Sequence, residues 1–213
     1  MWDINTTLSF FTALGTVAMA VAFGWGLYIW KQQLKGTAQF DAARALLKEV
    51  YALKRDISYA RSSLSFPKPD FYMPENPENL DKLREAREHF ESVKKVYDER
   101  MGKVADFYSR AEFAFYEAEI LIGTGAITGH LRPVVELCLK LKGTATEYFS
   151  YADPGARSGR SAEEVEELNR KALRIRPLLL ENVAYPEQDE FKQELDAAFK
   201  DLEDFLKPYL FKR

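Results

Sequence analysis

The chain has 213 residues, of which 46% are hydrophobic and 30% charged, and its net charge is −3. That balance excludes a disordered chain and a multi-span protein, and it argues against nucleic acid as a main partner. The single cysteine, Cys138, excludes an internal disulfide and agrees with a reducing compartment.

The first predicted element is the most informative. Residues 4 to 30 carry no charged side chain, and most are apolar. Roughly 20 apolar residues at about 1.5 Å each cross a hydrocarbon core of about 30 Å, and within it a single segment satisfies its own backbone only as a helix. The sequence therefore predicts a transmembrane anchor over 1–30. Ala18-Met19-Ala20 offers the small-x-small pattern of a signal cleavage site. No Lys or Arg precedes it, however, and the apolar run continues for ten more residues, so a retained anchor is expected rather than a cleaved signal.

The flanks set an expected orientation. Asp3 and the amino terminus stand before the span; Lys31, Lys35, Arg44 and Lys48 follow it. Lys and Arg stay cytoplasmic, so the expectation is N-terminus out and C-terminal domain in. Trp2 lies near one end. Trp25, Tyr28, Trp30, Lys31 and Lys35 form the expected membrane interface at the other. At helical spacing, Phe10, Leu14, Val17, Val21, Trp25 and Tyr28 share a bulky side, while Gly15, Ala18, Ala22 and Gly26 share a small one. Successive small-xxx-small steps let a second backbone approach closely, so these four are the candidate residues for helix packing in the membrane.

From 31 to 65 the apolar residues keep three-to-four spacing, with Ala43, Leu46, Leu47, Val50, Leu53, Ile57 and Ala60 among them. No proline separates this stretch from the span. One continuous rod is expected, with Gly36 as its soft point. Residues 66–77 read as a linker, because Pro67, Pro69, Pro74 and Pro77 forbid a continuing helix. Asn76-Pro77 then has the form of a helix cap.

The remainder, 78–213, reads as a helical bundle. A very long helix is predicted from about Glu78 to Ile122, where Leu83, Phe90, Tyr97, Val104, Ala111 and Ala118 recur every seven residues. Gly123-Thr124-Gly125 should end it. A second helix is expected from Thr128 or Pro133 to Tyr151. A third begins at the capping box Ser161-x-x-Glu164 and should be kinked or divided by Pro177. A last, acidic helix is expected from Pro186 to about Leu206, preceded by a basic run from Arg157 to Arg176. Solvated faces are the default reading of both charge runs. The predicted class is all-α, one N-terminal transmembrane helix followed by an antiparallel bundle with one very long helix.

The residues offer no catalytic constellation. His89 and His130 are the only histidines, neither follows a glutamate three positions earlier, and no phosphate loop or nucleophile elbow is present. Cys138 lies among Val135, Leu137 and Leu139, which should raise its pKa. No metal, cofactor or enzymatic activity is expected.

The boundary Trp30-Lys31-Gln32-Gln33-Leu34-Lys35-Gly36, then Ala42 to Tyr51 and Arg55-Asp56, resembles uncharacterised bacterial proteins with one N-terminal span and a helical cytoplasmic domain. The likeness covers residues 25–61 and implies a bacterial inner-membrane setting without site residues. The expectation is a membrane-anchored scaffold that contacts the bilayer, forms homo-oligomers and binds a protein partner at the cytoplasmic face. The alternative is a membrane-acting sensor or effector, of a stress or phage-defence type, whose span rearranges or forms a pore.

Overall fold

The computed structural model describes residues 4–62, 80–123, 125–182 and 186–211. Trp2, Asp3, Leu64, the Pro-rich linker predicted over 66–77, its Asn76-Pro77 cap and Thr124 lie outside the described residues, as do the side chains of Phe10 and Tyr108.

The described residues are all-α. Helix α1 runs Ile4–Ala60, α2 Leu80–Ile122, α3 Ala126–Ala152, α4 Pro154–Arg157, α5 Ala162–Leu179 and α6 Glu190–Leu210. At about 1.5 Å per residue, α1 is a rod of roughly 85 Å. It passes through Gly36 without a break. A single glycine costs only about 1 kcal/mol in a helix, too little to end one that packing holds further along.

The far half of α1 belongs to the bundle core. Ala42, Ala43, Leu46, Val50, Leu53, Ile57 and Ala60 are buried against α2 and α6. On α2 the seven-residue seam does the same work, with Phe90, Tyr97, Val104, Ala111 and Ala118 all buried. Helix α3 packs between α2 on one side and α5 and α6 on the other. Each large apolar side chain in this seam contributes roughly 1.5–3 kcal/mol by leaving water.

Two expectations are corrected. Pro177 does not divide α5, which continues two residues past it. Proline removes one amide near the helix end, and burial of Ala172 and Leu179 outweighs that local cost. Helix α3 starts at Ala126, two residues before the earlier of its two expected starts, and runs through Pro133. The last helix does not begin at Pro186. Pro186–Gln188 is a single 3-10 turn, and Asp189 caps α6 by accepting the Lys192 amide at 3.0 Å. The capping box forms as expected: Ser161 Oγ accepts the Glu164 amide, and the Glu164 carboxylate accepts the Ser161 amide.

The charge runs are solvated for the most part, as expected: Arg160, Arg170, Lys171, Arg174, Glu187, Glu190, Glu194, Asp201 and Asp204 are exposed, and Arg157 and Asp189 are the exceptions. Arg157 is buried, not solvated, and donates Nε–H to the Tyr151 carbonyl at 2.7 Å. The acidic α6 docks within the chain. Asp196 pairs with Lys54 at 2.7 Å, Glu194 with Lys140 at 2.8 Å, and His130 Nδ1 donates to Asp201 at 2.6 Å.

One buried ion pair closes the bundle. Arg61, just past the end of α1, and Asp189, at the cap of α6, each have side chains only 2% exposed. Arg61 Nη2 donates to Asp189 Oδ1 at 2.8 Å and to Oδ2 at 3.0 Å. The same guanidinium donates to the carbonyls of Leu178 and Leu180 and lies 4.6 Å from the Phe191 ring centre. Burial works to raise the Asp189 pKa. The Arg61 hydrogen bond, the amides of Lys192 and Asn182, and the Arg61 charge outweigh it, so the carboxyl is held below its usual range.

A depressed folded pKa stabilises the fold fully above the ordinary carboxylate value of about 4, and that stabilisation disappears as pH falls through the folded value. Arg61→Ala should therefore cost about 3–5 kcal/mol in denaturant unfolding of the full chain in detergent, because it leaves a buried carboxylate unpaired. Asp189→Asn should destabilise at neutral pH and flatten the loss of stability below about pH 4. A cost under about 1 kcal/mol for Arg61→Ala, well below that of breaking a buried pair, would show that the pair does not close the bundle.

Candidate functional site

The near half of α1 is the surface that most needs a partner. Every residue from 13 to 37 is exposed, among them Trp25, Tyr28, Trp30, Lys31 and Lys35. This one helix is long and apolar enough to cross a membrane, and its apolar stretch is covered by no part of the bundle. An uncovered band of this size is unstable in water and suited to lipid.

The four small residues Gly15, Ala18, Ala22 and Gly26 sit on this open stretch. A Cβ built at Gly15 or Gly26 meets nothing within 4 Å, so the space beside the helix there is empty. At the interface, Gln32 Nε2 donates to the Tyr28 hydroxyl at 2.9 Å, and Thr37 Oγ1 donates to the Gln33 carbonyl at 3.0 Å. Both bonds span one helical turn and stay within α1. The sequence-predicted residues thus share one exposed segment, and no other described element approaches the four small ones.

Burial begins at 38, where the bundle takes hold. Gln39 Nε2 donates to the Leu121 carbonyl at 2.6 Å and so satisfies an acceptor at the end of α2. Glu119 closes the neighbouring corner. Its carboxylate accepts the Thr128 hydroxyl at 2.6 Å and the amides of Gly125 and Thr128, and the Thr128 hydrogen bond leads the effects that lower its pKa. Gly125 has φ 82°, a left-handed conformation that favours glycine at this turn. Further along, Asp56 is buried between Arg55 and Arg110, and Arg110 also reaches Glu49 at 3.4 Å. Arg100 of α2 bonds Ser62 and the Tyr59 carbonyl at the end of α1. The span is therefore held to the bundle along more than 20 residues of the same helix.

Elsewhere the chemistry is structural. His130 stacks on Phe205 with ring centres 4.4 Å apart while bonded to Asp201. Among the described residues, no three His, Cys, Asp or Glu side chains are placed to hold a metal ion. Burial pushes the Cys138 thiol up to about 12, so it is not a thiolate at neutral pH.

The sequence pattern did not reveal a groove of about 520 Å³ between α2 and α3, lined by Phe115, Tyr116, Leu131 and Val135 with Glu112 and Arg132 at its edges. On the same helix, Phe113 is 83% and Ile120 80% exposed, and neither lines the groove. Both fall off the seven-residue seam, which was the one signal available for them.

The chain matches no protein-family profile, no characterised protein and no solved structure.

The thiol offers a direct check on this packing. Cys138 of the native protein should resist a water-soluble maleimide at pH 7.5 and react stoichiometrically once guanidinium unfolds the bundle. Rapid native labelling would show that the α2–α3 contact over Cys138 opens readily.

Proposed function

We propose that the protein is a single-pass anchor that holds a helical interaction module at the cytoplasmic face of a bacterial inner membrane. The observation that carries this reading is α1 itself, one unbroken helix whose first half is apolar and uncovered and whose second half is bundle core. A leader made only for removal has no need to continue into the core. Lys31, Lys35, Arg44 and Lys48 after the span, with none before it, support an outside N-terminus. The likeness of residues 25–61 to single-span bacterial proteins supports the same setting.

The module works by association and not by catalysis in this reading. The small face of Gly15, Ala18, Ala22 and Gly26 packs against the same face of a second copy, and the bundle presents a protein partner with a fixed surface. The support is the exposure of these four residues and the empty space beside Gly15 and Gly26.

Carbonate washing of membrane vesicles should leave the full chain in the pellet, and protease added outside sealed spheroplasts should spare residues beyond the span. Release by carbonate, or external digestion of the bundle, would overturn the anchor or its orientation respectively. Ala18→Ile combined with Ala22→Ile should lower crosslinking between copies in liposomes at least several-fold. An unchanged yield would remove the small face from the association.

A further inference from the structure

Helices α2 and α3 leave one side of the bundle without a covering helix. Helix α1 packs on α2, and α5 and α6 pack on α3. Between α2 and α3 on the remaining side runs the groove of Phe115, Tyr116, Leu131 and Val135, and a second concavity continues it past Gly102, Ala105 and Leu139. Counted along α2 from Asp98 to Tyr116, the trough is roughly 27 Å long. Tyr116 is 55% and Leu139 60% exposed within it. Apolar troughs of this length between two helices are where a further helical surface docks.

The two lips of the trough carry opposite charge at matching heights. Glu112 of α2 and Arg132 of α3 both line the first concavity. Asp98 of α2 and Lys142 of α3 both line the second. In these two concavities the acidic residues come from α2 and the basic ones from α3; in the adjoining concavity that shares Asp98 and Lys142, Lys94 and Glu91 of α2 and Asp153 also take part.

This pattern specifies its own complement. Two copies anchored in one bilayer cross it in the same sense, so a two-fold axis relating them runs along the bilayer normal. Two surfaces that face each other across such an axis place the left lip of each against the right lip of the other, at equal height. Glu112 then meets the second copy's basic lip at the level of Arg132, and Asp98 meets it at the level of Lys142. Each contact occurs twice, while Tyr116 and Leu139 leave water at the centre.

We infer that the α2–α3 trough is the site where the cytoplasmic bundle binds a second copy of this chain. This rests on the anchored, self-associating reading above and names the surface through which the bundle takes part. Arg132 bonds Glu136 on its own helix at 2.7 Å, but that pair is exposed and opens at little cost.

The test uses the full chain reconstituted in liposomes, with dimer measured by energy transfer between labelled copies. Glu112→Arg alone and Arg132→Glu alone each turn two attractive pairs repulsive and should weaken the dimer roughly tenfold. The double reversal should restore it, and a mixture of the two single variants should form mixed dimers in preference to either homodimer. Leu139→Lys should abolish bundle association, whereas Leu173→Lys, at an exposed site on α5 away from the trough, should leave it intact. Reversals whose effects simply add in the double variant, or a dimer indifferent to all of them, would overturn the trough as the interface. If Ala18→Ile with Ala22→Ile dissolves a dimer that the lip reversals leave untouched, only the trough is lost. A wild-type chain monomeric at every lipid ratio removes both the trough and the self-associating reading.

Discussion

The contact between Arg61 and Asp189 is the constraint on which the rest of the bundle depends. Helix α1 and helix α6 are separated by most of the chain, yet their ends meet at one guanidinium. That guanidinium also occupies the carbonyls where α5 stops. Three chain segments thus end or begin at a single fixed point. A buried pair is a weak source of net stability compared with apolar packing, because both charges must leave water. Its larger effect is on alternatives. A register in which α6 slid by one turn along α1 would bury Asp189 without Arg61, and that uncompensated charge would cost more than the sliding helix regained. The surface pair Lys54–Asp196 lies between α1 and α6 and agrees with that register without setting it, and Lys140–Glu194 ties α6 to α3.

Much of this architecture was legible in the sequence because it depends on periodicity. The seven-residue recurrence predicted five buried residues of α2, from Phe90 to Ala118, while Leu83 at its start is half-buried and Arg100, Met101 and Phe107 are buried outside it. The spacing from Ala43 to Ala60 likewise predicted the buried side of α1. The capping box at Ser161 and the glycines around Thr124 marked helix ends because they answer a local need of the backbone. Pro177 misled for the opposite reason. It carries a local cost of a few kcal/mol, and only the tertiary burial of neighbours such as Leu179 shows that the cost is met.

Pairings between distant segments were not legible. Arg61, Asp56 and Arg157 look like ordinary members of charged stretches, and nothing local distinguishes them from Arg55 or Arg160, which face solvent. The same limit applied to the candidate surfaces. The apolar span could be read from its length alone, whereas the trough between α2 and α3 exists only because α5 and α6 choose the other side of α3.

The continuity of α1 through Gly36 has a mechanical consequence. The apolar stretch from 4 to 30 measures roughly 40 Å as a helix, longer than the hydrocarbon layer of about 30 Å, and a stretch with such excess leans over to fit. With no hinge below it, the bundle must lean through the same angle. A lateral thinning of the lipid by a few ångström would then sweep the remote end of this lever sideways by a larger distance. In a bilayer, the inclination of the whole bundle would then follow local lipid thickness.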